Sequence, residues 1–329
     1  MEDENMNNVN DLSRDKGVSR SDSSTGLTER ELEQVEAQIL EPREEEMIAP
    51  MVFTQNTNAP AWIKSVTYDK VIDRYYRELE DTNNAEFDST GGTEFQIVDQ
   101  NVQRRSNLVF KRFLGARLPW DEVEASRAQN RDIESSATSN LRKANNRFRE
   151  RLSFLGSKRY EIPGAATATG ITSITGNDWA SSSTGGDTIL ADVDEMIESL
   201  LSEPGFSGPF EIVLARKAYS QLATRRVAPG QGDTRTILEV VETNPMVANV
   251  RATMYLDEVE LFDGTDEGAC GLAVASEPEH VDLLVPEPMM MRDPMRQKDD
   301  SILLRTLQSI GGLRIKDEKA IVKITGLDS

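Results

Sequence analysis

Between Pro119 and Gly156 the chain runs for 36 residues, Trp120 to Leu155, with neither glycine nor proline. A stretch that long without a breaker forces the fold to accommodate a long helix, a coiled-coil segment, or two shorter helices split near the Ser135–Ser139 cluster. Asp121 with Glu124 three residues on reads as a capping box at its start. Ile133, Ala137, Leu141, Ala144, Phe148, Leu152 and Leu155 then recur at steps of 4, 4, 3, 4, 4 and 3, one apolar stripe along a helix. Arg147, Arg149 and Arg151 fall where cations complement the helix dipole, and Gly156 suits the left-handed residue after a helix. A continuous helix over about 121–155 is roughly 54 Å long, against a mean globular helix of about 11–12 residues. The spacing predicts a spine on which other segments lie.

The rest of the composition narrows the class. At 329 residues there is chain enough for one large or two moderate domains. A net charge of −20 argues against whole-surface attraction to nucleic acid or anionic membrane, while leaving room for a local basic face. The cations are 26 Arg against only 11 Lys, and abundant carboxylate with little lysine fits either a surface hydrated in concentrated salt or an ordinary acidic mesophilic protein. On the first of these readings, lowering salt from molar to physiological levels loosens any assembly of the chain, because unscreened carboxylates repel. One cysteine, Cys270, excludes an intramolecular disulfide and a multi-thiolate zinc site. With no apolar signal region and no run near 18 apolar residues, the expectation is a soluble protein made in the cytoplasm, without a membrane partner.

Along the chain, residues 1–27 read as a disordered arm. A short acidic helix is expected from Thr28 to Pro42 (Leu32, Val35, Ile39) and an extended segment from Ile48 to Pro60. Residues 1–50 hold 14 acidic and 5 basic side chains, a net of −9 that usually marks a solvated tail. A helix is expected over Tyr68–Leu79, then a flexible turn region over Asn83–Gly92. Two strands follow, Thr93–Asp99 (with Phe95 and Ile97) and Asn107–Arg117 (with Leu108 and Phe110), joined by a polar tip at Gln100–Ser106. A lone two-stranded ribbon is marginal in water and needs another surface. Past the long helix, Ile162-Pro163-Gly164 opens a small-residue linker through Ile171–Ile174 and Ser181–Gly186. Helices are then expected at Asp187–Ser202, Arg216–Thr224 and Thr236–Glu242, with a loop over Ala228–Thr234. Strands are expected at Phe210–Ala215, Val250–Tyr255, Val259–Phe262, Gly271–Ala275, His280–Val285, Ile302–Leu307 and Ala320–Thr325. The pattern is α+β, with sheets assembled from distant segments.

Catalytic constellations are scarce. His280, the only histidine, precedes a strand-like alternation and reads as a sheet-edge side chain; Cys270 lies among Gly268, Ala269 and Gly271 and reads as a packed core thiol. No glycine pair is followed by Lys-Ser/Thr, there is no nucleophile elbow, and no cofactor or metal motif. The expectation is that this is not an enzyme. The basic residues Arg142, Lys143, Arg147, Arg149, Arg151, Lys158 and Arg159 instead gather at the end of the long helix. They read either as dipole complements with local salt bridges or as a phosphate-facing surface without base readout.

The order of parts carries a resemblance. An arm and short helix, a long β-excursion, a long helix ending in Phe154-Leu155-Gly156, then Ile162-Pro163-Gly164, and an α/β region whose last strands return at the C-terminus, is similar to the major capsid proteins of tailed viruses and the related encapsulin shell proteins, the Hong Kong 97 type of fold. The local match is Ala144 to Gly156 followed by Ile162-Pro163-Gly164, which resembles the end of the family's spine helix; Phe210–Ala215 with Tyr219 and Leu222 resembles a strand and helix of its axial domain.

The resemblance implies an N-terminal arm at 1–60, a helix leading to the loop at 61–82 and an extended loop at 83–112. It further implies a peripheral domain from 113–186 and 286–329 with a spine helix at about 121–155, and an axial domain at 187–285. The loop residues Phe95, Ile97, Arg104, Arg105, Leu108 and Phe110 become candidate contacts with a neighbouring subunit, and Arg225, Arg226, Asp233 and Arg235 a candidate axial tip. The basic end of the spine becomes a candidate inner surface facing DNA or an acidic neighbouring arm. Some family members weld loops to neighbours through Lys–Asn bonds; between Lys70 and Lys111 this chain has no lysine, so no such crosslink is expected from the loop tip. The implied function is that of a major capsid protein, from a salt-loving archaeal virus. It assembles with itself into pentamers and hexamers around non-specifically bound double-stranded DNA, with decoration, portal and scaffold proteins as further partners. An encapsulin-type shell around enzyme cargo is the alternative, and a soluble α/β enzyme a third.

Overall fold

The computed structural model describes residues 47–57, 70–79, 101–128, 133–227 and 235–328; at 70–79, 101–108 and 127 it describes the backbone alone. The predicted arm helix at 28–42, the turn at 83–92, the strand at 93–99 and the loop at 228–234 lie outside those residues.

The predicted spine is helical on both sides of residues 129–132, which are not described: α2 covers Trp120–Ala128 and α3 covers Ile133–Phe154. The Ser135–Ser139 cluster sits inside α3 and breaks nothing. Thr138 Oγ1 donates back to the Glu134 carbonyl at 2.8 Å, a bond the helix tolerates. With 22 residues, α3 is about 33 Å long. Its stripe meets a sheet through two apolar clusters. Ala137 and Leu141 join Leu118, Val123 and Leu304 near the start, and Leu152 joins Ile162 and Ile310 near the end. Between them the stripe departs from prediction: Ala144 is exposed and the buried neighbour is Asn145.

That sheet has the order β2-β3-β10-β9, with β2 at Lys70–Leu79, β3 at Asn101–Leu118, β9 at Glu287–Arg296 and β10 at Ile302–Ile310. β2 corrects the helix expected over 68–79. Val71-Ile72 and Tyr75-Tyr76 stand four apart and mimic a helical face, yet β-branched and aromatic residues favour a strand. Pairing with β3 from Lys70 opposite Phe110 to Leu79 opposite Asn101 then supplies the backbone partners. The tip expected at 100–106 is likewise strand from Asn101 onward. β9 went unpredicted because Pro288 and Pro294 interrupt its pattern; both suit an edge strand, which β9 is.

A second sheet runs β4-β12-β7-β5-β6: β4 at Thr172–Thr175, β5 at Phe210–Ala215, β6 at Val247–Thr253, β7 at Gly271–Val274 and β12 at Ile321–Thr325. β4 and β12, from stretches expected with the spine, thus pair here with strands from the stretch expected as the axial domain. β12 is apolar on both faces, with Ile321, Val322 and Ile324 buried, and only an interior position between β4 and β7 covers both. The predicted helices stand beside it as α4 (Gly186–Leu201), α5 (Arg216–Thr224) and α6 (Ile237–Glu242), the last opened by a full capping box of Thr236 and Glu239. Val259–Phe262 is not a strand. It turns at Asp263-Gly264 and makes only a single bridge, Glu260 with Asp266.

A third, three-stranded sheet gathers β1 (Thr54–Asn56), β8 (Val281–Leu284) and β11 (Gly312–Ile315). Just before β1, where an extended segment was expected, Ala49–Val52 forms one helical turn, α1, with Pro50 tolerated in its first turn. Phe53 packs on Phe154 at the end of α3 with ring centroids 5.7 Å apart, and the Ala49 N–H donates to the buried Glu150 Oε1 at 2.8 Å. The spine and the second sheet therefore share one core.

Candidate assembly and nucleic-acid surfaces

The spine ends in a turn that only small residues allow. Gly156 has φ +68°, and a Cβ there would collide with the Ile162 carbonyl; one on Gly164 would strike the backbone at Gly156 and Phe154. This close approach satisfies carbonyls that a helix end leaves open. Ala165 N–H donates to Ser153 O at 2.8 Å, Ala166 N–H to Phe154 O at 2.9 Å, and Thr167 Oγ1 to Leu155 O at 3.0 Å. The Ser157–Ile162 bridge closes the intervening loop, which carries Lys158, Arg159 and Tyr160.

The seven basic residues of this region do not form one patch. At about 100° per residue, Arg142 and Arg149 share one stripe of α3, while Lys143, Arg147 and Arg151 share another at least about 100° away. Arg149 is turned inward: its Nε and Nη2 are buried and find no acceptor among the described residues. Burial pushes its guanidinium pKa below the ordinary value, against the pull of Glu150. Arg142, Arg147, Arg151, Lys158 and Arg159 are exposed and Lys143 half-buried. Lys158 Nζ lies 3.6 Å from Glu260 Oε1, so part of its charge is answered locally. A cleft of about 430 Å³ is lined by Arg151, Lys158 and Arg159 together with Glu258, Glu260, Phe148, Leu152 and Phe262. The exposed cations of α3 are thus Arg142 on one side and Arg147 and Arg151 on the other.

Of the candidate loop residues, Phe95 and Ile97 lie outside the described residues. Arg104, Arg105 and Leu108 lie in β3, opposite Tyr76, Tyr75 and Ile72 of β2. Phe110 reaches the spine's closing loop, its ring 4.6 Å from that of Tyr160. Of the candidate tip, Asp233 is outside the described residues and Arg226 and Arg235 are exposed. Arg225 is a strut: Nη1 donates to Thr184 O at 2.6 Å, Nη2 to Ser181 O at 2.8 Å, and Nε to Gln221 Oε1 at 2.8 Å.

Cys270 is buried and its thiol pKa is pushed up to about 12, chiefly by burial, so it holds its proton at neutral pH and is no nucleophile. His280 stacks edgewise on Phe206 at 4.7 Å, with Nε2 3.4 Å from Glu277 Oε2.

Sequence reasoning missed two features. Asp282, fully buried in β8, accepts from Arg314 Nε at 2.6 Å and Nη2 at 2.5 Å and from Asn56 Nδ2 at 2.9 Å, with Lys316 Nζ at 3.1 Å. This one carboxylate ties all three strands of the third sheet, and no local spacing signals it because its partners are 226 and 32 residues away. The other is exposed apolar surface on the four-stranded sheet, where Phe113 on β3 is 68% exposed and Met290 and Met295 on β9, across β10, are exposed too. The alternation in β3 held that signal, since Phe113 breaks the apolar set Phe110, Leu114, Ala116 and Leu118.

A long ribbon rising from the sheet beneath a spine helix, beside a second α/β sheet, defines a class of shell-forming subunits, the Hong Kong 97-type fold. Solved structures agree on it. The capsid of Myoviridae phage XM1 superposes with a TM-score of 0.62 at 15% identity, covering 88% of this chain and 98% of that one. A chain of Mycobacterium phage Ogopogo gives 0.60 at 10% identity, covering 87% and 93%. The capsid of a native GTA particle gives 0.59 at 13% identity, covering 88% and 96%. Residues 83–327 match the major capsid protein family, and the chain belongs to it. It is also 28% identical over 149 residues to the type 1 encapsulin shell protein EncA of Myxococcus xanthus (strain DK1622), covering 45% of this chain. The chain spans about half the length of that curated relative, 49%.

Proposed function

We propose that copies of this chain assemble into the icosahedral head of a tailed virus and enclose its double-stranded DNA. The observation that carries this reading is the family match over residues 83–327, on a subunit whose ribbon leaves its own sheet. Such a ribbon finds the surface it lacks on a neighbour. The subunit acts by geometry rather than by catalysis: arms, loops and sheets of neighbouring copies bury surface on one another in pentamers and hexamers. In this reading the arm is 1–60 and the extended loop, with the strands that carry it, spans about 70–112. The spine and the four-stranded sheet form the peripheral part, and residues 187–285 with β4 and β12 the axial part. The finished protein resides in the virion after synthesis in the host cytoplasm, and decoration, portal and scaffold proteins are its further partners. Negative-stain microscopy of the purified chain tests the central claim. Closed particles of uniform diameter are expected, and compact monomers at every salt concentration would defeat it.

The 149-residue match to an encapsulin favours a second reading, a shell around protein cargo. The contents separate the two: nuclease-protected double-stranded DNA belongs to a virus head, and a co-purifying enzyme to an encapsulin.

The exposed cations of the spine give a sharper test. The triple change Arg142→Glu, Arg147→Glu and Arg151→Glu is expected to leave subunit melting nearly unchanged, as surface substitutions usually stay within about 0.5 kcal/mol. It should lower the amount of packaged or bound DNA and flatten its salt dependence by about one unit of slope per lost phosphate contact. DNA content and salt slope equal to the parent would reduce these residues to solvated helix surface. Arg149 is left out of the test because its buried guanidinium makes any loss uninterpretable.

A further inference from the structure

The four-stranded sheet changes partners at one residue. β3 pairs with β2 from Asn101 to Phe110 and with β10 from Phe110 to Leu118. Because β2 and β10 flank β3 on opposite edges, among the described residues a single strand joins the ribbon to the body of the subunit at Phe110. A two-stranded ribbon attached by one strand has no continuous ladder to hold its angle, and such ribbons twist readily.

Two described contacts hold the root on one face. The Phe110 ring meets Tyr160 at 4.6 Å, the planes tilted by 44°. Two residues on and on the same face, the Arg112 guanidinium lies 3.8 Å over the Phe148 ring, and its Nη1 donates to Asn145 Oδ1 at 3.4 Å. On the opposite face Phe113 is exposed. Both posts are rigid. Phe148 and Asn145 sit within α3, and Tyr160 stands on the loop closed by Gly156 and the Ser157–Ile162 bridge.

We propose that Tyr160 and Arg112 are positioning residues that set the angle at which the ribbon leaves the spine, and through it the curvature of the shell the copies build. The curvature half rests on the shell reading; the angle is a property of one subunit. Ten paired residues make a lever of about 33 Å, so a tilt of about 10° at the root moves the far end by about 6 Å.

Electron–electron distance measurement tests this on unassembled full-length subunits. Nitroxides go on cysteines introduced at Gln103 in the ribbon and Glu195 in α4, the native Cys270 being buried. Tyr160→Ala and Arg112→Met are each expected to shift or broaden the distance distribution, while Tyr160→Phe, which keeps the ring, reproduces the parent. In assembly, Tyr160→Ala changes the particle diameters and Tyr160→Phe does not. An unchanged distance in Tyr160→Ala, or a Tyr160→Phe as disturbed as the alanine variant, overturns the proposal. A changed distance with unchanged diameters overturns its curvature half. If the parent forms no particles the shell reading falls, while the distances still decide whether these residues set the angle.

Discussion

Replacing Asp282 with alanine lowers the unfolding free energy of the subunit by about 3–5 kcal/mol, the loss typical of breaking a buried ion pair from one side. The carboxylate is fully buried, and its removal takes the opposite charge from Arg314, itself nearly buried, and from Lys316, whose Nζ keeps only the neutral Pro278 carbonyl at 2.6 Å among the described contacts. It also removes the Asn56 side-chain bond that reinforces the pairing of β1 with β8. Burial alone would raise the Asp282 pKa; the hydrogen bonds from Arg314 and Asn56 and the charges of Arg314 and Lys316 outweigh it and hold the group below its ordinary value. A depressed folded pKa means that the stabilisation is complete above the unfolded value, about 3.9, and fades as pH falls below it. Denaturant titrations of parent and Asp282→Asn at pH 7, 5 and 3 should therefore show an equal gap at the first two and a smaller one at the third. A gap that already closes between pH 7 and 5 would contradict this account.

Gly156→Ala is the second large effect. Gly156 and Gly264 both have positive φ, so alanine at either meets the left-handed penalty of about 1–2 kcal/mol. At Gly264 nothing lies within 4 Å of the added carbon, whereas at Gly156 it meets the backbone of Ile162, Pro163 and Gly164. Gly264→Ala should cost about 1 kcal/mol and Gly156→Ala at least about 3. The difference measures the collision alone. Thermal unfolding of the two variants decides it, and equal costs would mean that the turn after the spine has room to open.

These two sites differ in how far the chain announced them. Gly156 was legible: a helix pattern, a glycine, then Ile-Pro-Gly places a left-handed residue and a tight return with no tertiary knowledge. The apolar stripe of α3 was legible for the same reason, since its period is local. Asp282 was not, because its partners come from β1 and β11 and only the folded sheet brings them together. The strand at Lys70–Leu79 was misread because apolar pairs four apart serve a helix face and a strand equally, and the deciding partner begins at Asn101. The basic cluster failed in another way. Nearness in sequence suggested a single patch, but the helical period splits it between two faces and turns Arg149 inward.

The interior position of β12 sets the timing of the subunit's birth. Its neighbours β4 and β7 cannot be joined until Ile321–Thr325 slides between them, and β10 reaches β3 across 192 residues where Thr306 bonds to Leu114. Pairings of such sequence separation form late and slowly. On a ribosome adding about 5–20 residues per second, ribbon and spine are made long before the strands that fix them. A nascent chain therefore cannot complete the five-stranded sheet until translation has passed Thr325.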